Sequence, residues 1–323
     1  MSNNYYSCPV CGNTHMREVF RTTHAFFLKC PFCGITQRQE AANKHAAQEA
    51  QIGVRTQRQE AAESTAGSSI YTAEYFLEEY RASYGRTYEE DREAIILLAK
   101  KRLDIIAGFL IKTLDSSVLD IGCALGYFLD EAHERGYATS GMEISAYAAE
   151  IARKRHRIVT GNILDKANTE IQTLISEKFH VITLWYVLEH ISDLHSLLQI
   201  ISTMQTGGDI FAVSVPNLRG LTGLTRPEKL FESSPPDHHY IFSLRSISIL
   251  FGMYGYTLSH RRATGIHYSR FRSYFPRLSI LISERIYTRI ASVFHLGDTQ
   301  ELYFIKNKNI ASNTLDSKVR VSS

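Results

Sequence analysis

Four of the chain's five cysteines stand as two pairs, Cys8-Pro-Val-Cys11-Gly and Cys30-Pro-Phe-Cys33-Gly. Tetrahedral zinc takes four soft ligands, and two tight turns each offer two thiolates to one ion. The expected ligands are Cys8, Cys11, Cys30 and Cys33, in a zinc ribbon over residues 1–35. Four protein ligands leave no open coordination position, so the Zn2+ is structural, its binding energy holding a unit too small for much core. Clustered thiols fit a reducing compartment better than disulfides, which places the chain in the cytoplasm. His15 and His24 read as surface residues.

A second constellation is Val118-Leu-Asp120-Ile-Gly122-Cys123-Ala124-Leu-Gly126. An apolar run enters a small-residue turn and leaves as a helix, and glycines there let backbone approach a bound ligand. A second predicted strand ends on Gly141-Met142-Glu143, where one carboxylate can accept from both hydroxyls of a ribose. The pair points to an adenosine-type nucleoside. The spacing G-x-x-x-G, with Asp120 before it, does not fit the dinucleotide fingerprint G-x-G-x-x-G. Cys123 reads as a small loop residue, since nothing near it in sequence would lower its pKa.

Three histidines follow later strands, His190, His238 and His239. Imidazole is the side chain best poised to take a proton near neutral pH. We expect His238 as the base, with His239 next; His190 reads equally well as a residue tying a helix start to the sheet.

These groups must be positioned by alternating elements. Strands are predicted at 117–121, 138–143, 157–161, 181–185 and 209–214, with helices over 127–135, 146–155 and 194–204 between them. Two more strands are expected at 256–260 and 301–306. The rhythm predicts an α/β fold: a Rossmann-like seven-stranded sheet, mostly parallel with the last strand antiparallel, helices on both faces, and the small zinc ribbon in front. Residues 36–70 read as a helical or low-complexity linker, in which Thr36-Gln-Arg-Gln-Glu-Ala-Ala42 recurs at 56–62 and 66–69 form a hinge. Residues 71–306 form the catalytic domain, with an aromatic-rich helical start and a substrate lid near 217–243. Residues 307–323 read as a disordered tail.

The region from about 71 to 262 resembles class I S-adenosylmethionine (SAM)-dependent methyltransferases. It is closest in pattern to a bacterial group (Methyltransf_23) related to ubiquinone-type O-methyltransferases and to enzymes encoded with polysaccharide genes. The matching segments are Leu119–Gly126, Glu143, Gly161-Asn162-Ile163-Leu164-Asp165, Val187-Leu-Glu-His190, Val215-Pro-Asn217 and Pro235–Ser243. Ala124 stands where many relatives carry Gly. The resemblance implies SAM as cofactor, with Asp120, Gly122, Cys123, Ala124 and Gly126 beside its methionine part. It further implies Glu143 on the ribose, Ile144, Asn162 and Ile163 along the adenine, and Trp185 near the sulfonium. Asp120 can instead serve only the loop amides, and Asn162 only a turn.

Sugar C-methyltransferases also join a four-cysteine zinc unit to this fold but carry a large further domain. Only about 80 residues follow Ser243 here, which favours O-methylation of a saccharide or related small metabolite. Residues 260–290 carry seven arginines against the single Glu284, interleaved with aromatics. They read as a solvated face, or as a site for an anionic acceptor such as a glycan precursor or for an acidic membrane surface. An RNA methyltransferase gripping nucleic acid through the ribbon and this segment is the first rival reading. The modest net charge of +3 and the lack of an Asn/Asp-Pro-Pro-Tyr-type base-flipping motif speak against it. A non-catalytic SAM-binding adaptor is the second. No apolar run has the length of a transmembrane span, and no signal peptide is expected.

Overall fold

Short apolar runs bounded by turns make eleven strands in the computed structural model, which describes residues 6–41, 72–110 and 116–308. They are β1 (Arg17–Arg21), β2 (Ala25–Lys29), β3 (Thr36–Glu40), β4 (Ser117–Ile121), β5 (Ala138–Glu143) and β6 (Arg157–Thr160). Then come β7 (Val181–Trp185), β8 (Ile210–Pro216), β9 (Tyr240–Ile241), β10 (Tyr256–Thr264) and β11 (Thr299–Lys306). The large sheet runs β10-β11-β8-β7-β4-β5-β6. Strands β4 to β8 pair in parallel, and the last strand, β11, is antiparallel to both its neighbours. The predicted strands 117–121, 138–143 and 181–185 match residue for residue. Strand β7 is buried along its whole length, as a parallel strand covered on both faces must be.

The linker prediction fails over residues 36–40. They form β3, which pairs with β2 on one edge and with β9 on the other. Their polar composition predicts no strand, but two waiting edges satisfy the backbone, and Thr36 is fully buried. The rest of the linker, the second copy of the repeat, the hinge and residues 309–323 of the expected tail lie outside the described residues. The segment 217–243, expected as a substrate lid, is tied down near both ends. Thr222 donates through its amide (2.8 Å) and hydroxyl (2.9 Å) to Asp298. Phe231 packs on Phe27, ring centroids 4.8 Å apart, and β9 is a strand of the small sheet.

One apolar core runs from Cys30, Cys33 and Ile35 of the ribbon through Phe242 to Leu119, Ile182 and Val213 of the large sheet. The ribbon thus shares the core of the domain behind it. On the other face of the sheet Arg102 and Glu301 are buried as an ion pair (2.8 Å). Glu301 is completely buried and also takes Arg262 (2.7 Å) and the Tyr303 hydroxyl (2.9 Å).

Burial pushes the Glu301 pKa up, but the Arg102 and Arg262 charges and hydrogen bonds outweigh it and hold it below the ordinary value. Its contribution is therefore complete above the unfolded-state pKa of about 4.3 and is lost as pH falls through the lower folded value. Glu301→Gln, which strands two guanidinium groups, should cost about 3–5 kcal/mol at neutral pH in urea unfolding. The gap to the unsubstituted protein should narrow in acid.

Candidate active site

The four ribbon thiols converge. Cys8 and Cys33 Sγ lie 3.5 Å apart, Cys11 and Cys30 Sγ 3.6 Å, and all four sulfurs fall within 4.8 Å of one another. A tetrahedron with arms of about 2.3 Å has edges of about 3.8 Å, so the donor set fits one zinc ion. The Val10 amide points at Cys8 Sγ (3.4 Å) and the Cys33 amide at Cys30 Sγ (3.5 Å), the supporting hydrogen bonds a thiolate wants. The neighbouring Cys33 thiol pulls Cys8 down to about 5.

At the tip of β4 the chain turns through Gly122 (φ 77°), Ala124 (φ 48°) and Gly126 (φ 84°) into the helix Tyr127–Glu134. A Cβ on Gly122 would collide with Val187 Cγ2, which places the start of the β7 tip against this loop. A Cβ on Gly141 of β5 would meet Cys123 Sγ and Ile158 at 2.7 Å, so that glycine lets the loop seat. Glu143, at the tip of β5, is buried. Its two oxygens accept from the Ala124 and Ser145 amides, each at 2.8 Å. Burial raises its pKa against these bonds. Each oxygen keeps a lone pair, which the two hydroxyls of a ribose could use. The site therefore has the donor chemistry for SAM, with the carboxylate also holding the loop in place.

The remaining cofactor candidates divide. Asp120 is buried behind the loop, where burial pushes it up to about 7 and the Thr183 hydroxyl donates to it at 2.6 Å. Ile144 is half-buried at the β5 tip. Asn162 accepts from the Leu164 amide (3.0 Å), a turn cap, and Ile163 is buried in the core. Trp185 is buried under the Arg102 guanidinium (3.9 Å to the ring) and against Phe128 (5.4 Å). Cys123 is buried, and burial holds its thiol well above the ordinary value, against a nucleophilic role. Two residues close to these went unmarked. Tyr186, exposed with φ 61°, ends β7. Tyr88 stacks on Tyr127 (5.8 Å), packs on Phe76 and lies near enough to Asp120 and Glu143 for their charges to raise its pKa further after burial does.

The histidines are brought together by two segments. The helical turn Leu188–His190 follows β7, and the chain before β9 comes back over it: the His239 amide donates to the Glu189 carbonyl (2.8 Å). His190 Nδ1 meets Asp237 at 3.0 Å, and the His238 ring stands edge-on to His190 at 4.6 Å. Burial lowers His238 to about 4, helped by the His190 charge. For His190 burial acts the same way, but Asp237 and Glu189 outweigh it and raise the ring. The His239 side chain is exposed, with its ring 6.1 Å from that of Tyr240. Asp237 was missed, although a carboxylate next to two histidines in sequence was the available signal. Donor atoms of Glu189, His190 and His238 lie within 4.8 Å of one another, and one Glu189 oxygen is buried without a hydrogen bond. A small divalent cation could be held there.

The ribbon braces this cluster directly. The Arg38 amide donates to the His239 carbonyl (2.9 Å) and its guanidinium to the Pro235 carbonyl (3.1 Å). Ser243 donates to the Cys33 carbonyl (2.8 Å). His195 donates from Nε2 to the Pro9 carbonyl (2.8 Å), and its Nδ1 takes the Tyr254 hydroxyl (2.7 Å).

Residues 88–261 match the family described as Methyltransferase domain, Methyltransf_23. Among curated proteins, the ubiquinone biosynthesis O-methyltransferase of Nitrosomonas europaea is 30% identical over 112 residues, 33% of this chain and 46% of that protein. That of Actinobacillus pleuropneumoniae is 36% identical over 113 residues, 32% of this chain and 47% of the relative. The chain thus spans about half the length of these relatives. A solved structure of a SAM-dependent methyltransferase from Archaeoglobus fulgidus superposes with a TM-score of 0.50 at 16% identity, covering 72% of this chain and 99% of that one, a likeness of fold.

Proposed function

The chain belongs to the Methyltransferase domain family, and from that premise we propose that it methylates a hydroxyl of a small acceptor, a saccharide or related metabolite, using SAM. The observation that carries this reading is the meeting of two tips at the centre of the sheet. Val187, which follows β7, packs against Gly122 of the β4 loop that Glu143 holds, and its carbonyl accepts from the amide of His190 (3.0 Å), the partner of Asp237. Ligands of open α/β sheets bind at such a point, where neighbouring strands send their chains apart. The relatives' names, both O-methyltransferases, support oxygen as the accepting atom.

SAM, when bound, supplies a methyl group activated by its sulfonium. Glu143 would hold the ribose while pinning the loop, and Tyr88 would wall the donor side. A hydroxyl acceptor must lose its proton, which needs a base with a pKa near the working pH. His190 suits this better than the expected His238: Asp237 orients its ring and supports its charge, whereas burial and the His190 charge depress His238. His238 would then shape the pocket beside the base. A product screen with labelled methyl donor against glycan precursors, phenols and total RNA tests the acceptor class. Label in RNA alone would overturn the small-acceptor reading.

Glu143→Ala should weaken SAM binding about a hundredfold or more in calorimetry, the worth of two charged hydrogen bonds at about 1.5 kcal/mol or more each, with Glu143→Gln in between. His190→Ala should lower kcat by roughly 10²–10⁴ with SAM affinity unchanged. Turnover that collapses on removing a divalent ion, with His190→Ala equally affected, would hand proton removal to a cation on Glu189, His190 and His238.

We further infer that Cys8, Cys11, Cys30 and Cys33 hold Zn2+. Cys30→Ser should abolish one bound zinc per chain in metal analysis and lower Tm by about 5 °C or more, since the metal's binding energy supports the ribbon. Because β3 carries β9, methyl transfer should fall with it. Unchanged metal content would refute the assignment.

A further inference from the structure

Half of the sixteen exposed large hydrophobic side chains among the described residues lie between Phe275 and Phe294. Ile280 is 84% exposed, Leu281 79%, Val293 72% and Phe294 69%, with Ile286 and Ile290 also exposed. The helix Glu284–Val293 already has its core contact: Tyr287 and Ala291 are buried against Phe271 and Leu221. Ile286, Ile290 and Val293 recur at the spacing of a second, outward row. Arg285 and Arg289 run beside that row, one turn apart. Arg272 and Arg277 lie on the preceding helices Tyr268–Tyr274 and Pro276–Ser279. Whereas Arg262 and Arg270 are paired with Glu301 and Asp298, these four arginines are exposed with no ion pair among the described residues. The one acid in the stretch is Glu284. A groove of about 880 Å³ opens on the same segment, lined by His267, Tyr268, Arg272, Ser273 and Ile280 among others.

We propose that the segment 268–294 is a docking surface for an anionic phospholipid membrane. Aliphatic side chains without a partner seek an apolar medium, and arginines interleaved with them seek phosphate. A bilayer surface offers both at the right depth: acyl chains below and anionic head groups level with the guanidinium groups. A second copy of the chain fits worse, because a two-fold contact would set the arginine row against itself with Glu284 as the sole compensation. Nucleic acid would meet the arginines but leave the aliphatic row uncovered. No helix of the described residues is long and apolar enough to cross a membrane, so the contact lies at the surface.

The test is flotation of the full chain with vesicles of phosphatidylcholine alone and of phosphatidylcholine mixed with phosphatidylglycerol. The chain should float at least tenfold better with the anionic vesicles, and high salt should reduce the effect. Arg285→Gln with Arg289→Gln should weaken partition about thirtyfold. Ile280→Ser with Leu281→Ser should weaken it tenfold or more. Both double variants should keep the Tm and the SAM affinity of the parent, which separates this proposal from the methyltransferase reading. The proposal is overturned if the chain ignores anionic vesicles or if neither double variant changes flotation. A dimer in sedimentation that Ile280→Ser with Leu281→Ser dissolves, without vesicle binding, would assign the surface to a second copy. RNA binding lost with the arginine pair, again without vesicle binding, would assign it to nucleic acid.

Discussion

Two residues of backbone pairing, Thr36 to Ile241 and Gln37 to Tyr240, join what would otherwise be two units. A four-thiol knuckle cannot bury enough apolar surface to stand alone. Here it does not have to, because β3 gains a partner strand from the domain behind and Ile35 and Phe242 share one core. The same pairing constrains the other side. His238 and His239 immediately precede β9, so the strand that closes the small sheet also delivers them to the turn Leu188–His190. The four-cysteine knuckle and the cluster of His190 and His238 are thereby set by one piece of backbone.

The large sheet supplies the complementary half. Its order puts β4 and β7 side by side at the centre, with the chain leaving β4 toward β5 and leaving β7 toward β8 on opposite sides. Their loops diverge and open a crevice that a continuous sheet edge would not have. Glu143 stands at the β5 tip beside the β4 loop, and its bond to the Ala124 amide means that the carboxylate and the loop hold each other in place. Two amides offset part of the cost of burying that carboxylate, and burial still leaves its pKa raised.

How much of this could be read in advance depended on whether a residue's role was set locally. Strands β4 and β7 were legible because largely apolar runs of five residues end at turn residues, and β5 because it falls in the alternating rhythm and ends on Gly-Met-Glu. The β4 loop and Glu143 were legible because a tight turn beside a ligand needs small residues at fixed offsets. Strand β3 was not: Thr-Gln-Arg-Gln-Glu has no strand signature, and tertiary partners decide its conformation. The His190–Asp237 pair was not either, since nothing in either segment says that the two meet. Asn162 caps a turn, one of the two roles its sequence allowed, and Ile163 packs in the core.

The two walls of the crevice are unequally supported. On the acceptor side the chain over 217–243 is fixed by Asp298, by Phe27 and by β3, and it shares the main core. On the donor side the cover is a small aromatic cluster, with Phe76 and Tyr88 packed edge to face at 5.5 Å above Leu125 and Tyr127. Phe76 comes from the wide helical turn Tyr75–Glu79, whose i to i+5 spacing departs from a regular helix. Local opening is governed by how much apolar surface a segment buries, and this cluster buries far less than the main core. The small cluster beside the β4 loop is accordingly the less deeply supported of the two walls, and local opening costs least there.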